Sequence, residues 1–217
     1  MKLKNKPDRS GERVNPNMRT ERLLDRLLDA ASAFFMEKGY EATSMVEIAR
    51  SAHASKETFY RHFPTKDELF RAVVLRRANL MAAEFSEVLI SNETPARALT
   101  AVGELILSRL VTIEGSALHR VVAMERERFP DLSEAYFAAG PKRIRASLAE
   151  YMEKEAAKGD LRKLEGQVAA RQFFDLVAAD VLLGSAISAR AAPSKAEMKK
   201  LVKEAVDCFL HGYHSSS

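Results

Sequence analysis

The sequence predicts an all-α fold of about nine helices, in which an N-terminal unit of three short helices precedes a larger helical body. Apolar residues recur at helical spacing along nearly the whole chain. Strand signals, meaning β-branched runs with alternating polarity, are almost absent. Helix breakers divide the 217 residues into segments of helical length. With 47% apolar and 29% charged residues, the composition is that of a globular protein with a buried core.

The first two helices follow from apolar spacing and from capping residues. Between Arg19 and Lys38 apolar side chains recur every three or four positions, and Gly39 ends the helix. The second helix begins at Thr43 or Ser44. Ser44 and a glutamate three residues later fit a capping box, although Thr43 can equally be the cap. The apolar positions of the first helix are Leu24, Leu27, Leu28, Ala31, Phe34 and Phe35.

The third and fourth helices are separated by a proline. Ser55 caps the third helix, which runs to about Phe63. Pro64 ends it, because the residue before a proline disfavours the helical conformation. Thr65, with a glutamate three residues later, forms another capping box and starts a long helix to about Ile90.

Breakers divide the rest of the chain into five further helices. Their approximate bounds are Pro95–Ile113, Ser116–Arg128, Leu132–Lys158, Glu165–Ala191 and Ser194–His211. Joints or kinks are expected at Pro130, Gly140-Pro141, Gly159-Asp160 and Pro193. We therefore expect three regions: a disordered basic arm at residues 1–18, the three-helix unit at residues 19–66 and a larger helical domain at residues 67–217.

The net positive charge lies entirely in the N-terminal third, because basic and acidic residues balance in the rest of the chain. Residues 1–66 carry 13 basic and 9 acidic residues, whereas residues 67–217 carry 21 of each. A basic end on a neutral body favours a polyanionic partner at that end. No apolar stretch is long enough to span a membrane. The single cysteine, Cys208, cannot form an internal disulfide, which suits a reducing cytoplasm.

The second and third helices have the spacing of a helix-turn-helix motif, with residues 52–54 as the turn. Phe59 and Phe63 lie four residues apart and are expected to face inward. Lys56 can donate to guanine, and Thr58 can contact a thymine methyl group. Tyr60 and His62 can donate to phosphate oxygens, as can Lys66 in the first turn of the next helix. An ordinary surface helix with solvated charges is the alternative interpretation. The expected outward-facing residues are Lys56, Thr58, Tyr60, Arg61 and His62.

The segment "LLDAASAFFMEKGYEATSMVEIARSAHASKETFYRHFPTKDELFRAVV", residues 27–74, resembles the DNA-binding domain of tetracycline-repressor-like (TetR/AcrR) regulators. The resemblance implies that Lys56 and Thr58 contact bases, that Tyr60, His62 and Lys66 contact the DNA backbone, and that the start of the second helix lies near a phosphate. The complete set of predicted DNA-binding residues is Thr43, Ser44, Ser55, Lys56, Glu57, Thr58, Tyr60, Arg61, His62 and Lys66.

Three residues depart from the pattern of that family. His53 stands in the turn where glycine is usual, and a positive φ there costs a non-glycine residue energy. Glu57 occupies a position that is commonly glycine, where a carboxylate either accepts from cytosine or repels phosphate. Val46 stands where a polar base-contacting residue is frequent. These departures bear on which operator sequence is bound.

The larger domain resembles an AefR-like C-terminal domain around residues 125–143, and in the family such a body binds an effector and forms a dimer. Apolar stripes on the last two helices suit a four-helix dimer interface, with intramolecular core packing as the alternative. The expected interface residues are Phe173, Leu176, Leu183, Ile187, Leu201, Val202, Ala205 and Phe209. A pocket for an unidentified small molecule is expected among helices four to eight, with core packing as the alternative, because buried aromatic and methionine side chains are mainly packing residues. The candidates to line it are Phe85, Met124, Phe137 and Phe174.

The leading hypothesis is a cytoplasmic transcriptional regulator: a homodimeric repressor that binds a palindromic operator in double-stranded DNA and is released by its effector. A non-specific architectural DNA-binding protein is one alternative, but the neutral body argues against it. An all-helical enzyme is the other. The five histidines are scattered without a Glu-x-x-His pair, and no glycine-rich phosphate loop is present. We therefore expect no cofactor, no metal and no membrane partner.

Overall fold

The computed structural model describes residues 16–91, 94–111, 113–187 and 192–213. Every regular element within these residues is helical, as the sequence predicted. The helices are α1 (Pro16–Lys38), α2 (Met45–Ser51), α3 (Lys56–His62), α4 (Lys66–Ile90), α5 (Pro95–Val111), α6 (Ile113–Met124), α7 (Pro130–Phe137), a π-helical turn (Ala138–Lys142), α8 (Arg143–Lys158), α9 (Gly166–Ile187) and α10 (Lys195–Tyr213). None of these helices is both long enough and apolar enough to cross a membrane.

Within the described residues α1 extends from Pro16, so the chain is helical three residues before the predicted start. The sequence interpretation that placed residues 16–18 in a disordered arm is therefore wrong. Residues 1–15, the rest of that arm, lie outside the described residues.

The predicted joints are confirmed at two glycines with left-handed backbone. Gly39 follows α1 with φ of +78°, and Gly159 follows α8 with φ of +92°. After Gly159 the backbone N–H of Asp160 donates to the Glu155 carbonyl at 3.0 Å, which satisfies a carbonyl that the helix leaves free. At the start of α10 a capping box forms, since the Ser194 N–H donates to a Glu197 carboxylate oxygen at 2.8 Å.

Helices α7 and α8 form one continuous helical segment that contains Pro141. The π-helical turn between them accommodates the proline without ending the helix. At Gly140 a Cβ atom would lie 3.2 Å from Met81 Cε and 3.5 Å from Ala78 Cβ. The glycine therefore allows the π-helical turn to pack closely on α4. When this segment is counted as one helix, the described residues contain the nine helices that were expected.

Two clusters of buried side chains stabilise the fold. The first contains α1–α3 and the first half of α4, and continues into α6 and α7 through residues such as Leu118 and Phe129. The second contains the rest of α4 with α5, α8, α9 and α10. The core of the three-helix unit thus extends beyond residue 66 into the body, and α6 packs directly on α1 of that unit.

An aromatic cluster joins the end of α1 to the loop between α6 and α7. Tyr40 packs edge-to-face against Phe70 at 5.1 Å and against Phe129 at 5.2 Å between ring centroids. The guanidinium of Arg128 lies 4.4 Å from the Tyr40 ring centroid and pairs with Glu41. Burial and the hydrogen bond to a neighbouring aspartate raise the pKa of Tyr40 to about 12. The phenol therefore remains a hydrogen-bond donor at neutral pH.

Candidate nucleic-acid interface

The helix-turn-helix is formed by α2, α3 and the turn at residues 52–55. Ser55 caps α3 as predicted, and its Oγ accepts from the Thr58 N–H at 3.1 Å. Ser44 has the extended backbone of an N-cap, but its side chain makes no capping hydrogen bond. The capping box expected at Ser44 therefore does not form. The start of α2 is instead tied to α1 by an ion pair between Lys38 and Glu47 at 3.3 Å.

The turn after α2 forces His53 into the left-handed region, with φ of +51°. The His53 N–H donates to the Arg50 carbonyl at 3.1 Å, and the Ala54 N–H donates to the Ala49 carbonyl at 3.0 Å. This pair of hydrogen bonds is a Schellman motif, which requires left-handed backbone at its first residue after the helix cap. The positive φ considered from the sequence is thus present.

We expect His53→Gly to stabilise the protein by about 0.5–1 kcal/mol. Left-handed backbone costs an L-residue about 1–2 kcal/mol, and the greater freedom of glycine in the unfolded chain offsets part of that gain. Urea denaturation followed by circular dichroism measures the difference. Gly159→Ala is the matched control, because a Cβ at Gly159 meets nothing within 4 Å and only the backbone strain changes. An equal or lower stability of His53→Gly would contradict the strain argument.

Helix α3 separates an apolar face from a polar one. Phe59 is fully buried and Phe63 is 8% exposed, and both belong to the first core cluster. Lys56, at the start of the helix, is exposed, while Thr58 and Tyr60 are half-buried. The inward orientation of the two phenylalanines therefore leaves the side chains predicted to contact bases accessible along one helix.

Neighbouring side chains order the polar face of α3. The Ser55 hydroxyl donates to Thr58 Oγ1 at 2.8 Å, and Arg61 Nη2 donates to the same oxygen at 3.3 Å. The Lys56 ammonium lies 5.9 Å from the centroid of the Tyr60 ring, at the outer limit of a cation–π contact. Glu57 is exposed in the first turn, where a carboxylate interacts favourably with the helix dipole. This face carries donors, a methyl group and an aromatic ring in a fixed arrangement.

Thr43 does not lie on the surface, contrary to the sequence interpretation. It is 4% exposed, and its hydroxyl donates to the Gly39 carbonyl at 2.6 Å. The Thr43 N–H donates to the Tyr40 carbonyl. The hydroxyl therefore closes the turn after α1 and is not available to a phosphate. Ser44 next to it is half-buried and remains the residue of this pair that can approach DNA.

Lys66 and His62 lie near the junction between α3 and α4. Lys66 Nζ donates to the Glu41 carbonyl at 3.0 Å and lies 4.5 Å from the centroid of the Tyr40 ring. An ammonium has three donors, so one such hydrogen bond leaves the others able to reach a phosphate. His62 is half-buried in the last turn of α3. On α2, Val46 is 48% exposed, an apolar side chain on the surface of the motif.

The four residues proposed to line an effector pocket do not enclose one. Phe85 is 3% exposed and packs in the second core cluster. Met124 is 73% exposed, and Phe137 is 45% exposed and lines an open surface cleft beside Arg145. Phe174 is partly buried, and Arg145 lies over both its ring and that of Phe137. The four side chains therefore do not share one enclosed cavity in this structure, and their contact with an effector stays a prediction.

The residues proposed for the dimer interface divide into two groups. Four of them are buried in the core of the body: Phe173, Val202, Ala205 and Phe209. Other helices of the same chain cover this part of the apolar stripe, so these four residues are not available to a partner, contrary to the sequence interpretation. Three are exposed, with Leu176 at 48%, Leu183 at 60% and Leu201 at 36% of their full accessible area. The side chain of Ile187 lies outside the described residues.

A cleft of about 380 Å³ lies where α1 meets the body, and no local sequence pattern indicated it. Arg77 of α4 and Arg109 of α5 are both part of its lining. They stand 32 positions apart in the chain, so no local spacing connects them. The other residues that matter for its chemistry are Ser32, Met81, Glu84 and Leu118.

Two family models match the chain. The model of "Bacterial regulatory proteins, tetR family" matches residues 27–73, and the model of the "AefR-like transcriptional repressor, C-terminal domain" matches residues 97–215. Among curated proteins, the HTH-type transcriptional regulator TcmR of Streptomyces glaucescens is 29% identical over 169 residues, which cover 74% of this chain and 66% of TcmR. In TcmR and seven further curated relatives the matched region spans between 33% and 66% of the relative's own length.

Solved structures match over nearly their full length. A TetR-family transcriptional regulator from Mesorhizobium loti has a TM-score of 0.84 at 30% identity, with 91% of this chain and 99% of that chain covered. The structure of the flavonoid-responsive regulator FrrA has a TM-score of 0.66 at 26% identity, with 91% of this chain and 100% of that chain covered. Both the helix-turn-helix and the body of this chain therefore have counterparts in single solved chains.

Proposed function

The chain belongs to the TetR family of bacterial transcriptional regulators, and we propose that it is a cytoplasmic, homodimeric repressor released from DNA by a small molecule. In this proposal residues 19–66 bind DNA, and residues 67–217 form the dimer and bind the effector. Repression agrees with the AefR-like repressor model that matches the body. A responsive body agrees with the similarity to FrrA, a regulator whose name states that it responds to flavonoids.

The observation that carries the proposal is the division of α3 into two faces. Phe59 and Phe63 fix the helix on the core, while Lys56, Thr58 and Tyr60 remain accessible. A recognition helix of this kind lies in the major groove, where donor and acceptor patterns distinguish all four base pairs. Two copies in a dimer then contact half-sites about one helical turn, ~34–36 Å, apart. The remaining proposed contacts are Ser44, Ser55, Glu57, Arg61, His62 and Lys66.

A mobility-shift titration with DNA from upstream of the protein's own gene tests this function. Specific binding predicts a shift that survives excess non-specific competitor DNA. The logarithm of the affinity is expected to fall linearly with the logarithm of the salt concentration, by about 0.9 for each phosphate contact. Equal competition by any DNA sequence would instead favour an architectural DNA-binding protein. No shift at low salt would exclude both.

Dimerisation is assigned to the exposed leucines of α9 and α10. Leu176, Leu183 and Leu201 form an apolar surface on two adjacent helices, which suits a four-helix interface with a second copy of the chain. The buried residues of the same helices hold α9 and α10 against α5, so that the surface is presented on a rigid support.

We expect Leu183→Glu to convert the dimer into a monomer at micromolar concentration. The side chain is 60% exposed within the chain, so the fold tolerates the change, but an unpaired carboxylate buried at an interface costs several kcal/mol. Sedimentation velocity gives the mass directly. Ile90→Glu is the control, because Ile90 is 85% exposed at the end of α4, outside α9 and α10. A Leu183→Glu protein that remained dimeric would place the interface elsewhere.

A further inference from the structure

The cleft between α1 and the body contains two arginines whose hydrogen-bonding capacity is only partly used. Arg77 Nη1 donates to Ser32 Oγ at 2.9 Å, and within the described residues Arg77 forms no ion pair with a carboxylate. Arg109 pairs with Glu84 through Nη2, but its Nε is buried and without a partner. A buried donor without an acceptor is costly, so an acceptor entering the cleft would be stabilised.

The charges around the cleft favour an anion. Burial, followed by the nearby positive charges of Arg109 and Arg76, lowers the pKa of Arg77. Arg76 already binds two carboxylates on α1, Asp25 and Asp29, and Arg109 binds one. Asp29 acts on Arg77 only at a distance and opposes this lowering of its pKa, so among the described residues Arg77 is the guanidinium in the cleft without a direct ion pair. A guanidinium presents a planar fork that matches a carboxylate.

The lining also contains an apolar part, to which Met81, Leu118 and Ala33 contribute. Its two carboxylates, Glu84 and Asp29, are already paired with Arg109 and Arg76. A volume of about 380 Å³ is within the range of small-molecule sites. A ligand with one anionic end and an apolar remainder satisfies both parts of the surface.

We propose that this cleft is the effector site and that it binds a small amphipathic carboxylate, whose anionic group is held by Arg77 and Arg109. The assignment rests on the proposed function, because it names the ligand class to which the regulator responds. The arginines belong to α4 and α5, whereas Ser32 belongs to α1 of the DNA-binding unit. A carboxylate that takes the Arg77 guanidinium competes with Ser32, so binding loosens one contact by which α4 holds α1.

Isothermal titration calorimetry of the full-length protein without DNA tests the site. The probes are octanoate and 1-naphthoate, each compared with its neutral primary amide. Charge-assisted hydrogen bonds predict that at least one carboxylate binds about ten- to a hundredfold tighter than its amide. Arg77→Gln is expected to abolish this preference. Arg77→Lys retains part of it, because an ammonium keeps the charge but loses the fork.

Two further variants separate loss of the site from loss of the fold. Ala33→Trp fills the cleft from an exposed position on α1 and removes no charge, so it should block binding with the melting temperature unchanged. Arg97→Gln is the matched control on the exposed surface of α5 and should bind both carboxylates like the wild type. Equal binding of acid and amide, or wild-type binding by Arg77→Gln or by Ala33→Trp, would overturn the proposal.

The effector role has its own measurement. The carboxylate that binds is added to the complex of the protein with operator DNA, and the DNA affinity is expected to fall at least tenfold in the wild type and to stay constant in Arg77→Gln. Operator binding without ligand is recorded first, so failure of the DNA-binding function is seen separately. An operator affinity that does not respond to a bound carboxylate would refute the effector role.

Discussion

Lys56→Ala should weaken binding to the operator by about thirtyfold or more. A specific contact between a lysine and a base contributes about 1–3 kcal/mol, and each dimer contains two copies of α3, so a loss of at least about 2 kcal/mol is expected. Fluorescence anisotropy with a labelled operator at fixed salt measures the affinity. Lys56 is exposed at the first turn of α3, so the substitution leaves the fold unchanged.

The control for Lys56→Ala is Lys154→Ala on α8, which removes the same charge from an exposed position of the body. It should keep the affinity of the wild type within about twofold, since an exposed charge more than a Debye length from the DNA is largely screened. If both variants lost affinity equally, net charge would explain the binding. If neither did, α3 would not be the recognition helix.

Phe59→Ala should reduce the free energy of unfolding by about 3–5 kcal/mol. The side chain is fully buried in the first core cluster, with its ring 5.8 Å from that of Tyr60 and 6.3 Å from that of Phe63. Truncation leaves a cavity as well as losing the apolar burial. Chemical denaturation monitored by circular dichroism gives the difference. DNA binding should be lost at the same time, because the position of α3 depends on this ring.

Phe137→Ala is the matched truncation for Phe59→Ala. Phe137 is 45% exposed, and the centroid of its ring lies 6.0 Å from Arg145 Cζ. Its loss should cost less than about 1 kcal/mol and leave DNA binding intact. A similar stability for both variants would mean that the buried face of α3 does not anchor the helix-turn-helix.

Local features of the sequence predicted most of the fold. Helical periodicity and helix-breaking residues predicted the nine helical segments, because both signals depend only on residues that are close together in the chain. Ser55 and Gly39 marked a helix start and a helix end correctly, since capping is also local. The strained position of His53 followed from the departure from a family pattern in which glycine is usual. These features do not depend on how distant helices pack.

Predictions that required tertiary packing were less accurate. Thr43 and Ser44 are equivalent as caps in the sequence, but only the packed structure shows that the Thr43 hydroxyl points into the turn after α1. Phe173 and Leu183 both belong to apolar stripes on α9. One is buried in the body and the other is exposed, because α5 and α10 cover only part of the helix. A stripe indicates that a face is buried, not which chain buries it.

Contacts between residues far apart in the chain had no sequence signal. Arg128 stands 88 positions from Tyr40, and its guanidinium lies over the Tyr40 ring. Arg77 and Arg109 likewise meet at one cleft only because α4 and α5 pack together. Such pairs follow from helix packing, which single-sequence periodicity does not encode. The ligand site proposed above was therefore found from the structure alone.

Guanine methylation protection on the operator shows whether α3 lies in the major groove, because the reagent modifies N7 there. If α3 is the recognition helix of a dimer, two groups of guanines will be protected, with centres about one helical turn, ~34–36 Å, apart. The Lys56→Ala protein will lose protection at the guanines that this side chain contacts, at concentrations where it still occupies the site. Protection confined to the minor groove, or an identical pattern for Lys56→Ala, would show that α3 is not the recognition helix.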